Sequence, residues 1–332
     1  MTQAPTGPAG LPRATCLAVA LLGCLVALML AGCSQQASPA QPARPLVVGT
    51  STMLCDAIGE IGGDAIDAGC IMKPGGDPHL YQPRPSDAAL LARSTLVVTN
   101  GLRLEGWIDE LVRNAGGQRP IVVAGESMRE VLSLPGSHSA VDPHFWFDVP
   151  AWSDAMGRVG AAIAGAVPEA QRAGVLARTE AYRARLARLD AWTRRELDRV
   201  PRERRVLITS HDAFRYFGRA YGVEVVAIQG VSTEQEASQR DVARVVDLVR
   251  SRGARAVFVE TSVNPSLMRQ VAAETGVRLA GPLFSDSVGP EGSPGAGYVG
   301  MVAENIRMIV DGLGATPTPF DDRQPEGSGG VR

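Results

Sequence analysis

Between Pro168 and Pro201 nothing in the sequence breaks a helix. Pro168 suits a first helical turn, and Pro201 marks a stop. About 33 residues rising 1.5 Å each give a rod of roughly 50 Å, long enough to run across two domains. Tyr182, Leu186, Leu189 and Thr193 form an apolar stripe along it at helical spacing. Arg178, Arg183, Arg185, Arg188, Arg194 and Arg195 dominate its other faces and read as solvated surface. The net charge of −2 gives no sign of a nucleic-acid partner.

On both sides of this helix, short apolar runs alternate with helix-length segments. Before it, strands are expected at Pro45–Thr50, Ala68–Met72, Thr95–Thr99 and Pro120–Ala124. Helices are expected from Ser51 or Thr52 to Ile61, from Ser86, over Leu104–Asn114 and over Ala151–Ala166. After it come strands at Arg205–Thr209, Val223–Gln229, Arg255–Glu260 and Val277–Ala280. Helices fit Phe214–Tyr221, Glu234–Arg252, Pro265–Thr275 and Tyr298–Leu313. The alternation means a parallel α/β layout. Sites in such sheets lie in loops at the carboxyl ends of the strands. A chain of 332 residues holds one large or two medium domains.

The chain has four histidines. Three stand beside an aspartate at a turn: Asp77-Pro78-His79, Asp142-Pro143-His144 and Ser210-His211-Asp212. The prolines disfavour a helix through the preceding residue, so the first two imidazoles sit on loops. Convergent neutral imidazoles plus a carboxylate make a divalent-metal site. There is no compact zinc signature, so the ligands are far apart in sequence. Asp142, Asp148 and Asp212 are candidates to orient imidazoles from the second layer, with turn capping as the alternative.

The amino terminus stands apart from the fold. Arg13 precedes an apolar run from Cys16 to Leu30, short for a membrane span and suited to a signal-peptide core. Leu30-Ala31-Gly32-Cys33 resembles a bacterial lipobox, which would make Cys33 the lipidated first residue of the mature chain; a plain signal peptide or an anchor helix is the alternative. Residues 34–44 suit a flexible tether, and 314–332, rich in Gly, Pro and Asp, are expected to lack structure. Export leaves Cys55 and Cys70 in an oxidising compartment, either as a disulfide or as two buried thiols.

An ordered set of motifs now carries a wider resemblance, over about Leu46 to Leu313. It comprises Asp77-Pro78-His79 with Tyr81 and Pro83, Asn100-Gly101-Leu102, Glu105-Gly106-Trp107, and Asp142-Pro143-His144-Phe145-Trp146-Phe147-Asp148. It continues with His211-Asp212-Ala213-Phe214-Arg215-Tyr216-Phe217, Ile228-Gln229-Gly230-Val231-Ser232-Thr233, Phe258-Val259-Glu260-Thr261 and Phe284-Ser285-Asp286-Ser287. The chain resembles the metal-binding solute-binding lipoproteins of bacterial zinc/manganese ABC transporters (cluster A-I).

The resemblance implies two parallel-sheet (βα) lobes, 45–166 and 202–313, joined by one long bridging helix, 167–201. A metal would lie in the interlobe cleft, on His79, His144, His211 and Asp286. It implies one divalent ion as cargo, an ABC permease with its cytoplasmic ATPase as partner, a monomer, and anchorage to a bacterial membrane through lipid on Cys33. His at position 211, and only Gly136-Ser137-His138-Ser139 where many zinc-specific members carry a long His-rich loop, resemble a mixed manganese/zinc subgroup and favour manganese as cargo. Three imidazoles and a carboxylate suit zinc in their own right. The rivals are a secreted zinc hydrolase, with Glu260 as the candidate base, and a surface adhesin on the same fold.

Overall fold

The computed structural model describes residues 1–4, 43–134, 140–234 and 237–322. Cys33, its lipobox and His138 lie outside them.

Four short strands open the fold: β1 (Leu46–Gly49), β2 (Asp67–Cys70), β3 (Leu96–Thr99) and β4 (Ile121–Val123). They form one parallel sheet in the order β2-β1-β3-β4. The central β3 is buried at every residue, which is why it reads as an unbroken apolar run. Its helices are α1 (Thr52–Gly62), α2 (Pro85–Arg93) and α3 (Ile108–Ala115). Ser51 caps α1 by accepting from the Leu54 N–H. Cys55 in α1 and Cys70 at the end of β2 form a disulfide, S–S 1.99 Å. This ties down the strand end from which the chain runs towards His79.

The helix expected from Leu104 begins only at Ile108. Leu102 and Arg103 turn through left-handed backbone, φ 53° and 63°. Glu105 is buried there, accepting from Thr50 Oγ1 (2.5 Å) and from the N–H groups of Asn100 (2.7 Å) and Gly101 (3.1 Å). Those bonds bind the ends of β1 and β3 together.

Helix α4 (Val149–Ala166) leads into the long helix α5 (Glu169–Asp198). The 30 residues of α5 span about 45 Å. It approaches α4 closely: a Cβ on Gly160 would lie 2.2 Å from Thr179 Oγ1, so only glycine fits. The apolar stripe is buried as expected, but its arginines are not simply solvated. Arg178 donates to the carbonyls of Ile61 (2.9 Å) and Gly62 (2.6 Å) at the end of α1. Arg194 donates to the Ala220 carbonyl (3.1 Å), near the end of α6 (Arg215–Tyr221). Helix ends carry unpaired carbonyls and partial negative charge, so a cation from a neighbour satisfies both.

In the second half, β5 (Val206–Thr209) pairs in parallel with β6 (Glu224–Ala227), and β7 (Ala256–Glu260) with β8 (Arg278–Leu283). Helices α7 (Gln239–Arg252), α8 (Ser266–Thr275) and α9 (Gly297–Gly312) accompany α6. Helix α7 starts later than expected because Ser238 and Asp241 form a capping box. The fold is thus α/β with parallel sheets, two lobes and a long helix. One apolar cluster runs through both lobes, and Trp152 stacks on Tyr298 at 4.7 Å within it. A shared core of this kind opposes wide separation of the lobes.

The tail expected to lack structure from 314 is held on α5 as far as Asp322. Glu196 accepts from Thr318 N (2.7 Å) and Oγ1 (2.5 Å), Phe320 packs on Trp192, and Asp322 pairs with Arg185 (2.7 Å). One aromatic ring and a satisfied buried carboxylate outweigh the polar composition around them. Among the described residues, no helix is long and apolar enough to cross a membrane.

Candidate metal centre

The repeated Asp-Pro-His turn has one physical basis. Asp77 Oδ1 accepts the His79 N–H at 2.8 Å, and Asp142 Oδ1 accepts the His144 N–H at 2.9 Å. An aspartate that bonds the backbone two residues on makes its own turn, and the proline between stiffens it. The two turns then differ. Asp142 Oδ1 also accepts from His144 Nδ1 (2.8 Å), fixing the ring with Nε2 outward. Asp77 instead accepts from Thr233 Oγ1 at 2.6 Å. Trp107 Nε1 donates to the Pro78 carbonyl (3.1 Å), and Asn100 Nδ2 to the Pro143 carbonyl (3.1 Å). The motif residues around Asn100 and Trp107 therefore serve to place the two histidine loops.

His211 follows β5, and Glu260 ends β7. One Glu260 oxygen accepts the His211 N–H (2.9 Å) and the other faces its Nδ1 (2.5 Å), leaving Nε2 outward. Asp286 lies beyond β8. Asn305 on α9 bonds both backbone groups of Phe284, and Trp146 Nε1 donates to the Ser285 carbonyl (3.0 Å). Asp286 Oδ2 accepts from Ser262 (2.8 Å) and Ser285 (3.1 Å).

These placements bring together His79, His144, His211 and Asp286, with one donor atom from each within 4.8 Å of the others. His79 Nε2 is 3.3 Å from His144 Nε2. Asp286 Oδ1 is 3.5 Å from His144 Nε2 and 3.9 Å from His79 Nε2, and Oδ2 is 3.4 Å from His211 Nε2. Donors about 2.1 Å from a tetrahedral ion stand roughly 3.4 Å apart, so the cage has metal dimensions. His211 Nε2 and Asp286 Oδ1 are buried without a hydrogen-bond partner.

Of the candidate orienting residues, Asp142 holds a ring and two do not. Asp148 caps α4 through the Ala151 N–H (3.1 Å) and pairs with Arg219 (3.2 Å). Asp212 faces Arg215 at 3.8 Å rather than an imidazole. The role expected of them falls in the second half to Glu260, expected from the sequence as a motif residue and as a candidate hydrolytic base. Its signals were that motif and an acidic residue at the carboxyl end of an apolar strand.

Charge and burial differentiate the donors. Burial lowers His79 to about 4, so its ring is neutral near neutral pH. Burial also acts to lower His144, but Asp142 and Asp286 outweigh it and raise the ring above its usual value. In the same way Glu260 and Asp286 raise His211 well above 6.5. Burial works to raise Asp286, while His211 and His144 hold it well below the carboxylate range.

The chain has metal-binding relatives. The profile of the family described as "Zinc-uptake complex component A periplasmic" matches residues 47–312. The zinc-binding protein TroA of Treponema pallidum is 38% identical over 303 residues, covering 90% of this chain and 97% of the relative. The manganese-binding lipoprotein MntA of Bacillus subtilis is 35% identical over 292 residues, 86% of this chain and 95% of the relative. The solved periplasmic zinc-binding protein TroA superposes with a TM-score of 0.78 at 37% identity, over 82% of this chain and 99% of that one.

Proposed function

Because this chain belongs to the zinc-uptake complex component A family, we propose that it captures one divalent transition metal on His79, His144, His211 and Asp286 and delivers it to an ABC permease for import. One observation carries the ligand assignment: two buried atoms without partners, His211 Nε2 and Asp286 Oδ1, belong to a cage of four donors. A buried polar atom left unpaired is costly, and a cation at the centre removes that cost for both.

Capture here involves no bond making in a substrate. Imidazole Nε2 atoms displace water from the ion, and the carboxylate supplies negative charge. Both Glu260 oxygens are engaged with His211, so this residue is not free to act on a metal-bound water, which weighs against the hydrolase. The partners are the permease and its ATPase, which turn ion capture into import.

On the identity of the ion, nitrogen-rich sites bind zinc far more tightly than manganese, while availability decides the cargo in a cell. Both Asp286 oxygens face imidazoles, so a fifth donor is at hand for an ion of higher coordination number. We assign manganese as cargo, with tight zinc binding in vitro. Protein purified from manganese-replete, zinc-poor cells should carry one manganese per chain, and zinc should displace it. Metal analysis showing no bound ion after titration with either metal would overturn the capture reading. Zinc alone, recovered under manganese-replete growth, would overturn the manganese assignment.

Anchorage through lipid on Cys33 completes the proposal. Cys33→Ala should release the protein from the membrane fraction and abolish the mass added by acylation. Retention of the variant in that fraction, with no mass change from the parent, would refute it.

A further inference from the structure

Building on the metal-capture reading, we propose that Thr233 and Ser287 are positioning residues that latch the His79 loop over the bound ion and so set how long it stays. The four donors are not equally enclosed. His144, His211 and Asp286 are fully buried. The rings of His144 and His211 are each held at Nδ1 by a carboxylate. His79 is less enclosed, with 6% of its side chain exposed, and lines a surface cavity with Leu102, Val141, Gly230 and Val231. Its own loop carries the turn that places it, so whatever holds that loop governs the fourth ligand.

Two hydroxyls from the other lobe hold it. On one flank, Thr233 Oγ1 donates to Asp77 Oδ2 at 2.6 Å, while Asp77 Oδ1 accepts the His79 N–H at 2.8 Å. One carboxylate thus connects the loop after β6 to the backbone of the ligand. On the other flank, Ser287 Oγ accepts the Gly75 N–H at 2.7 Å and a second bond from Thr52 Oγ1 at 3.2 Å. Ser287 directly follows Asp286, so the same hydroxyl joins the loops of two ligands from opposite lobes. An ion leaving towards the cavity has to displace His79, and both latches resist that movement. The other three donors need not move.

Hydrogen bonds to a charged acceptor are the stronger kind, and losing one corresponds to a rate change on the order of tenfold. The experiment preloads the full chain with one zinc per molecule and follows release into excess chelator. The parent is compared with Thr233→Val, Thr233→Ser and Ser287→Ala. Thr233→Val, which keeps the shape and removes the hydroxyl, should release zinc about tenfold faster. Thr233→Ser should restore the parent rate, and Ser287→Ala should also release faster. Thr233 lies at a half-buried rim, so the metal-free melting temperature of its variants should match the parent. A purely structural role would not give that combination. Release from Thr233→Val at the parent rate, or from Thr233→Ser as fast as from Thr233→Val, would overturn the latch. The Thr233 series decides this even if Ser287→Ala does not fold. Failure of the parent to load zinc would count against metal capture rather than against the latch.

Discussion

Asp286→Ala is expected to weaken zinc and manganese binding by well over a hundredfold while the fold persists. Outer partners of a ligand are worth roughly ten- to hundredfold in metal affinity, and a direct ligand more. Asp286 supplies the one negative charge among the four donors, and both of its oxygens face imidazole nitrogens. Its loop does not depend on the carboxylate, because Asn305 holds Phe284 and Trp146 holds Ser285. Glu260→Gln should fall in the range of an outer partner, since it loosens the carboxylate's hold on His211. Asp148→Ala should bind metal like the parent and lose only helix stability, about 1 kcal/mol for a missing cap. Competition titrations with a chromophoric chelator measure all three. Parent-like affinity in Asp286→Ala, or equal losses in Asp148→Ala and Glu260→Gln, would refute the assignment of ligands and orienting residues.

Metal affinity should also rise steeply with pH, by up to about a hundredfold per unit near pH 6. A protonated imidazole cannot coordinate, so every proton held by the free site must leave as the ion enters. His144 and His211 are raised above 6.5 by neighbouring carboxylates and hold protons at about pH 6. His79, lowered to about 4 by burial, holds none there, and Asp286 is ionised. Two protons are therefore displaced rather than three. Apparent affinity falls as pH falls, and it levels off only above the raised values of His144 and His211. Calorimetric titration in buffers of different ionisation enthalpy counts the released protons. Three protons released at about pH 6, or none, would contradict this distribution of charge.

Much of this protein could be read in order along the chain. The β–α alternation is local, because a strand buried on both faces must be apolar throughout, as β3 is. The long helix was legible for the same reason, since an unbroken run between Pro168 and Pro201 with an apolar stripe leaves few alternatives. The two Asp-Pro-His turns carry their own mechanism within three residues, aspartate to backbone N–H, so the sequence alone could pick out His79 and His144. The limits of Leu104–Asn114 were less legible, because the buried carboxylate of Glu105 is satisfied by Thr50, Asn100 and Gly101 just beyond β1 and β3.

What the chain determined by itself is thus the set of elements, the turns that present two imidazoles, and His211 beside an aspartate after an apolar run. The tertiary structure decided which acidic side chains matter. Asp286 is one of 35 acidic residues, and the bottom-up pattern did not single it out; the family resemblance did. It is distinguished by burial against Ser262, Ser285 and two imidazoles from elsewhere in the chain. Glu260 reaches His211 across neighbouring strands, 49 residues apart, while Asp212, next to His211 in sequence, turns to Arg215. Arg178 and Arg194 of α5 cap helix ends only because α1 and α6 pack beside them. Hydrogen bonds and charge act over a few ångströms of space. Sequence proximity records that distance within a turn and loses it wherever separate strands and helices meet.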